Sequence, residues 1–245
     1  MMRTANPALN DKTFGGLRTY SESAMTINGT VNKTGALLFL VLCGSVYTWN
    51  LTKTGGNAGP WILGGGLIGL VLAMITTFKQ TWAPITAPLY ALAEGFLLGG
   101  ISAAFAVRYE GAGIVFQAVM LTFGTLLSLL VAYRSGFIRA TENFKLGVAA
   151  ATGAIFFVYL IGWVLSFFGM GIPAIHQSGW IGIGFSLFVV VVAAFNLVLD
   201  FDFIEQGAAQ GAPKYMEWYG AFGLIVTLVW LYLEMLRLLA KMRER

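Results

Sequence analysis

The stretch Asn196–Gly207, NLVLDFDFIEQG, closes a long apolar run with three acids, Asp200, Asp202 and Glu205. Carboxylates in that position form either a solvated exit from a membrane or an ion site. Ionisable groups within a bilayer are costly, so each one is a functional candidate with a partner to be found. Two further acids sit in apolar surroundings, Glu94 in YALAEGFLLGG and Glu234 in LVWLYLEMLRLL. Glu94 must face a bundle interior, be protonated or meet a cation. An interhelical hydrogen bond and a place on an ion path are both open to it. Glu234 and Arg237 stand at i,i+3 spacing, which suits an ion pair at the membrane edge. Glu234 as one half of an acid pair is the sharper alternative.

Helical phase sorts the three acids. Asp200 and Asp202 lie about 200° apart around a helix, so they cannot both face a core. Asp202 and Glu205 share a face. The economical arrangement turns Asp200 inward and the other two toward water or headgroups. Ordinary catalytic templates are missing: the sequence has no HExxH, no GxSxG and no Walker loop. The lone His176 falls in a loop without metal-binding partners. Lys241 is the first lysine of the last apolar segment and comes too late for a retinal Schiff base. The lone Cys43 reads as a small buried apolar residue and can form no intrachain disulfide. No enzyme is expected.

The elements that position these acids follow from composition. The 245 residues are 58% hydrophobic and 11% charged, against about 25% charged in a soluble domain. A spanning helix needs about 20 mostly apolar residues. The runs Thr34–Asn50, Gly59–Phe78, Ala87–Val107, Ile114–Tyr133, Leu146–Phe168, Ser178–Leu199 and Trp218–Ala240 meet that need, with breakers such as TKTGGNAGP and EQGAAQGAPK between them. The expected fold is therefore an all-α membrane protein of seven transmembrane helices. Residues 1–33 read as a polar, flexible cytoplasmic arm, with a short interfacial element around NPALNDKTF as the alternative, and residues 34–245 as the transmembrane domain. Gly65/Gly69 and Gly95/Gly99 give the small-xxx-small spacing that lets helix backbones approach closely.

Lysine and arginine set the orientation. With a cytoplasmic N-terminus, the inside segments hold Arg3, Lys12, Arg18, Lys33, Lys79, Arg134, Arg139, Lys145 and Lys214, and the outside loops hold Lys53 and Arg108. The tail, Arg237, Lys241, Arg243 and Arg245, opposes that bias if all seven segments cross. A full seventh span with the N-terminus inside is the favoured arrangement. The formal net charge of +4 is scattered, and no basic stripe with interleaved aromatics suggests nucleic acid.

Seven apolar segments, LVLDFDFIEQ ending the sixth and LYLEMLRLL in the seventh resemble the Bax-inhibitor family. The opening MRTANPALNDKTF and the block GAPKYMEWYGAFGLIVTLVWLYLE look like its bacterial, YccA-like branch. The resemblance covers essentially the whole chain. It implies six helices around a central seventh, a bacterial inner membrane, and a pH-sensitive calcium leak. It also implies that acids of the sixth and seventh helices share a proton and regulate that leak, and that some members restrain a membrane-bound protease. The sixth-helix acid maps onto Asp200, and the seventh-helix acid of an LYLD pattern maps onto Glu234. Two departures are chemical. Glu is one methylene longer than Asp, and Arg237 stands where the family often has Asn, so it can hold Glu234 ionised.

Spacing adds a rival. If the seventh helix starts near Met216, Glu234 lies about 27 Å along it, while Asp200, about 33 Å along the sixth, sits near the other face. Glu217 is then the geometric alternative partner. Two carboxylates in contact titrate as a unit. A shared proton bridges the helices at low pH; at higher pH the acids repel and offer the hard oxygens that suit Ca²⁺. Asp200 and Glu234 are the expected weak calcium contacts, with flux rising as pH rises. No resident cofactor is expected; Ca²⁺ and H⁺ are transient ligands. Expected partners are the bilayer, calcium and, in the alternative reading of an interaction protein, a membrane protease.

Overall fold

The structure is a computed structural model, and it describes residues 24–110, 113–169 and 179–244. Among the described residues are seven helices: α1 (Ile27–Lys53), α2 (Gly59–Phe78), α3 (Ala83–Arg108, entered through a 3₁₀ turn at Gln80–Trp82), α4 (Ile114–Arg134), α5 (Glu142–Phe167), α6 (Trp180–Ala209) and α7 (Met216–Arg243). All seven spans are long and apolar enough to cross a membrane. The chain is an all-helical integral membrane protein.

Local signals set the helix starts. Thr26 caps α1, accepting from the Gly29 N–H at 3.0 Å, and Thr141 caps α5 with Glu142 in the first turn. Proline opens α2 and α3, where its missing N–H costs nothing. α1 begins seven residues before the apolar run at Thr34. Its early polar residues are part of the helix, with Thr30 buried. α6 likewise continues past Leu199 to Ala209, because Phe201 and Ile204 remain buried while Asp202 and Glu205 find polar neighbours. His176 and the arm through residue 23 lie outside the described residues.

α7 is the centre of the bundle. It packs against α1, α3, α4 and α6, and Ala221, Ile225, Leu231 and Leu236 on it are fully enclosed. α2 packs mainly on α3, and α5 mainly on α6, so these two form an outer layer. α5 buries only Val148 and Ile155, and Phe156, Trp163 and Phe167 face outward. Cys43 is exposed, not buried as expected, because it falls on the lipid-facing side of α1.

Helix association in lipid depends on close packing, since tails are as apolar as side chains. The tightest crossing here is α1 on α3. A Cβ added at Gly95 would press into the Val41 carbonyl and the Gly44 backbone. The Ser45 hydroxyl donates to the Gly95 carbonyl at 3.1 Å, which that closeness allows. Gly65 meets the Ala93 carbonyl of α3 and Gly69 makes room for the Glu94 side chain, so both small-residue pairs serve packing. Gly95→Val forces the two backbones apart and is expected to cost about 1–3 kcal/mol, read as a lower unfolding temperature in detergent. Gly64→Val, where an added side chain meets open space, is the control and should change little.

Candidate functional site

α6 and α7 are antiparallel neighbours, and their register decides which acids meet. Near one end, Lys241 Nζ reaches the Gly182 carbonyl at 3.1 Å and the Ser186 hydroxyl at 2.8 Å. Further along, Asp200 Oδ1 lies 3.6 Å from where a Cβ on Gly223 would sit, and the Thr227 hydroxyl hydrogen-bonds the same carboxyl. The acid thus packs against α7 at a position where the missing side chain makes room. Its other oxygen, Oδ2, is buried with no hydrogen-bond partner.

This register does not bring Asp200 and Glu234 together. Glu234 lies about 16 Å along α7 from Gly223, at 1.5 Å per residue, well beyond carboxylate contact. Glu234 has its own site. It is 2% exposed, accepts from the Tyr159 hydroxyl of α5 at 3.0 Å, and pairs with Arg237 Nη1 at 2.6 Å. Arg237 also donates to the Tyr159 hydroxyl at 2.7 Å and stacks over its ring. The i,i+3 ion pair read from the sequence is therefore present, extended by a tyrosine that no motif marked. Glu234 Oε2, like Asp200 Oδ2, is buried without a partner.

Glu217, the rival, is also engaged elsewhere. Its carboxylate is fully enclosed. It accepts from the Thr26 backbone N–H at 2.9 Å and the Thr26 hydroxyl at 2.8 Å, and it pairs with Lys33 and with Lys214, the latter at 2.9 Å. The backbone adds a hydrogen bond from Met25 to Ala212 at 2.7 Å and a bridge between Ala24 and Pro213. Together they tie the start of α1 to the α6–α7 turn. Gly29 faces the carboxylate, and any side chain there would collide with it.

The remaining acids are distributed around the bundle. Glu94 faces Gly69 of α2 and is hydrogen-bonded by Tyr90, one turn earlier on its own helix. Tyr90 packs edge-on against Phe222 of α7, with ring centroids 5.0 Å apart. Glu94 therefore has a partner on its own helix, and α2 supplies only a glycine. Asp202 is not simply solvated: Lys145 of α5 pairs with it at 2.9 Å, and Gln206 donates to it at 2.6 Å. Glu205 is exposed and accepts from the Tyr133 hydroxyl of α4. Among the described residues, no three His, Cys, Asp or Glu side chains gather as a metal site. Among the described residues neither Asp200 nor Glu94 meets a cation; Asp200 is the one of the two that stands between α6 and α7, and Thr227, which no motif marked, is its neighbour.

The Glu217 latch makes a clean prediction. Glu217→Gln leaves Lys33 and Lys214 without their shared carboxylate and should destabilise the fold by about 1–3 kcal/mol. Adding Lys33→Met should recover part of that loss in a double-mutant cycle of detergent unfolding. Strictly additive losses would show that the two side chains do not interact.

The family described as Bax inhibitor 1 like matches residues 6–244, nearly the whole chain, and the chain belongs to it. No curated protein and no solved structure matches the sequence.

Proposed function

We propose that this member of the Bax inhibitor 1 like family is a pH-sensitive calcium leak in a bacterial inner membrane, with Asp200 as its titrating group. The observation that carries the reading is the buried Oδ2 of Asp200, between α6 and α7, with no donor and no cation to satisfy it. Such a group is a functional candidate by default in a membrane interior. Ionised, it demands a proton, water or a hard cation, and it strains the α6–α7 contact. Protonated, it is neutral and the contact can close. Calcium suits a carboxylate oxygen, and few ligands give the weak, transient binding that passage needs.

Glu234 takes a different part from the one its motif suggested. Arg237 compensates its charge, so it serves as an anchor between α7 and α5 and not as a proton-sharing partner of Asp200. Leak then depends on one protonation equilibrium, at Asp200. The N-terminus is cytoplasmic in this reading.

The second reading is a membrane protein that modulates a partner such as a membrane-bound protease. It draws on the outer position of α5, whose apolar face meets no other helix strongly.

Purified protein in liposomes loaded with a calcium dye separates the two. Flux is expected to rise between about pH 5 and about pH 8, where a desolvated carboxyl loses its proton. Asp200→Asn should flatten that dependence, and Glu234→Gln should keep it while lowering stability. Flux absent at every pH favours the interaction reading; flux whose pH response survives in Asp200→Asn removes Asp200 from the mechanism.

A further inference from the structure

The C-terminal ends of α3 and α7 meet around a cavity of about 450 Å³ that the proposed leak does not use. Phe105, Arg108 and Tyr109 wall it on the α3 side, and Arg237, Lys241 and Glu244 on the α7 side. Three of these six are cations and one is an acid, so the lining is net positive. Arg108 Nη2 lies 2.7 Å from Glu244 Oε1, and the Tyr109 hydroxyl donates to the same oxygen at 2.5 Å. Arg237 turns one nitrogen to Glu234, and Lys241 reaches back to α6 through Gly182 and Ser186.

Cations at helix C-termini favour the negative ends of the two dipoles, and that alone would explain their presence. It does not explain why they converge on one cavity. Two spanning helices end here, so the cavity stands where hydrocarbon gives way to headgroups. Phe105 and the nearby alanines give it an apolar side beside the charged one. The Arg108 side chain is 71% exposed, so its guanidinium keeps donors open to a further ligand beside its pairing with Glu244. The anion abundant in that plane is lipid phosphate, whose oxygens match a guanidinium fork. Basic pockets between membrane helices recognise anionic headgroups by this chemistry.

We propose that this cavity holds the phosphate of an anionic phospholipid headgroup, gripped by Arg108 and Arg237 with Lys241 behind them. The site is independent of calcium passage through the α6–α7 contact. Its occupant would brace the ends of α3 and α7 against each other.

Native mass spectrometry of the full chain in detergent, titrated with phosphatidylglycerol, phosphatidylcholine and inorganic phosphate, tests it. Phosphatidylglycerol should bind about fivefold or more tightly than phosphatidylcholine. Inorganic phosphate should compete weakly. Arg108→Gln should weaken phosphatidylglycerol by about fivefold and leave phosphatidylcholine unchanged. Glu244→Gln removes the acid from the lining and should tighten phosphatidylglycerol, which keeps the test decisive if Arg108→Gln does not fold. Equal retention of the two lipids, free phosphate binding as well as the lipid, or Glu244→Gln binding phosphatidylglycerol no more tightly each overturns the proposal.

Discussion

A carboxylate enclosed by packed side chains has little water to turn to, and the central helix α7 carries two of them. Glu217 and Glu234 are both almost completely enclosed. A buried charge left unpaired is far more costly than one that is matched and hydrogen-bonded. The rest of the structure is arranged around meeting that demand. At the start of α7, Lys33, Lys214 and Thr26 converge on Glu217 and bring the beginning of α1 onto the α6–α7 turn. Toward its other end, Arg237 and Tyr159 converge on Glu234 and tie the outer helix α5 to the core. One turn further, Lys241 donates to the Gly182 carbonyl and the Ser186 hydroxyl of α6. Each ionic contact thus also fixes a helix in place, where apolar packing alone would give little preference over lipid.

Asp200 is the exception that gives these contacts a functional meaning. It belongs to the same seam but receives a threonine in place of a cation. A seam pinned by charge at both ends and left unsatisfied between them has a defined place to yield. Gly223 opposite the acid removes side-chain bulk there, which lets the Asp200 carboxyl pack against α7. The calcium reading therefore rests on a contrast between acids and not on any single motif.

Much of this was legible in the chain. Length and apolarity marked all seven spans, because a membrane helix needs about 20 apolar residues and little else. The errors in extent fall where polar residues are part of a helix. Thr30 and Lys33 looked like the end of a flexible arm, yet they lie on α1: Thr30 donates to the Thr26 carbonyl, and Lys33 reaches Glu217 across 184 positions of sequence. Asp200 looked like a helix end, yet α6 runs on to Ala209. Helical phase turns Asp200 inward, and the structure packs its carboxyl against α7. Phase does not supply its partner, because register between two helices depends on the connecting turn and on distant anchors such as Lys241–Ser186. The motif placed Glu234 opposite Asp200; the fold places Gly223 and Thr227 there. Tyr159, in an otherwise uniform apolar run, carried no signal at all.

The α6–α7 register holds Asp200 against Gly223 and away from Glu234. Disulfide trapping in native membranes reads that register, with the natural Cys43 replaced by alanine. The Asp200→Cys, Gly223→Cys pair is predicted to cross-link under mild oxidation, while the Asp200→Cys, Glu234→Cys pair stays reduced. Efficient cross-linking of the second pair and none of the first would overturn this register and restore a direct pairing of the two acids.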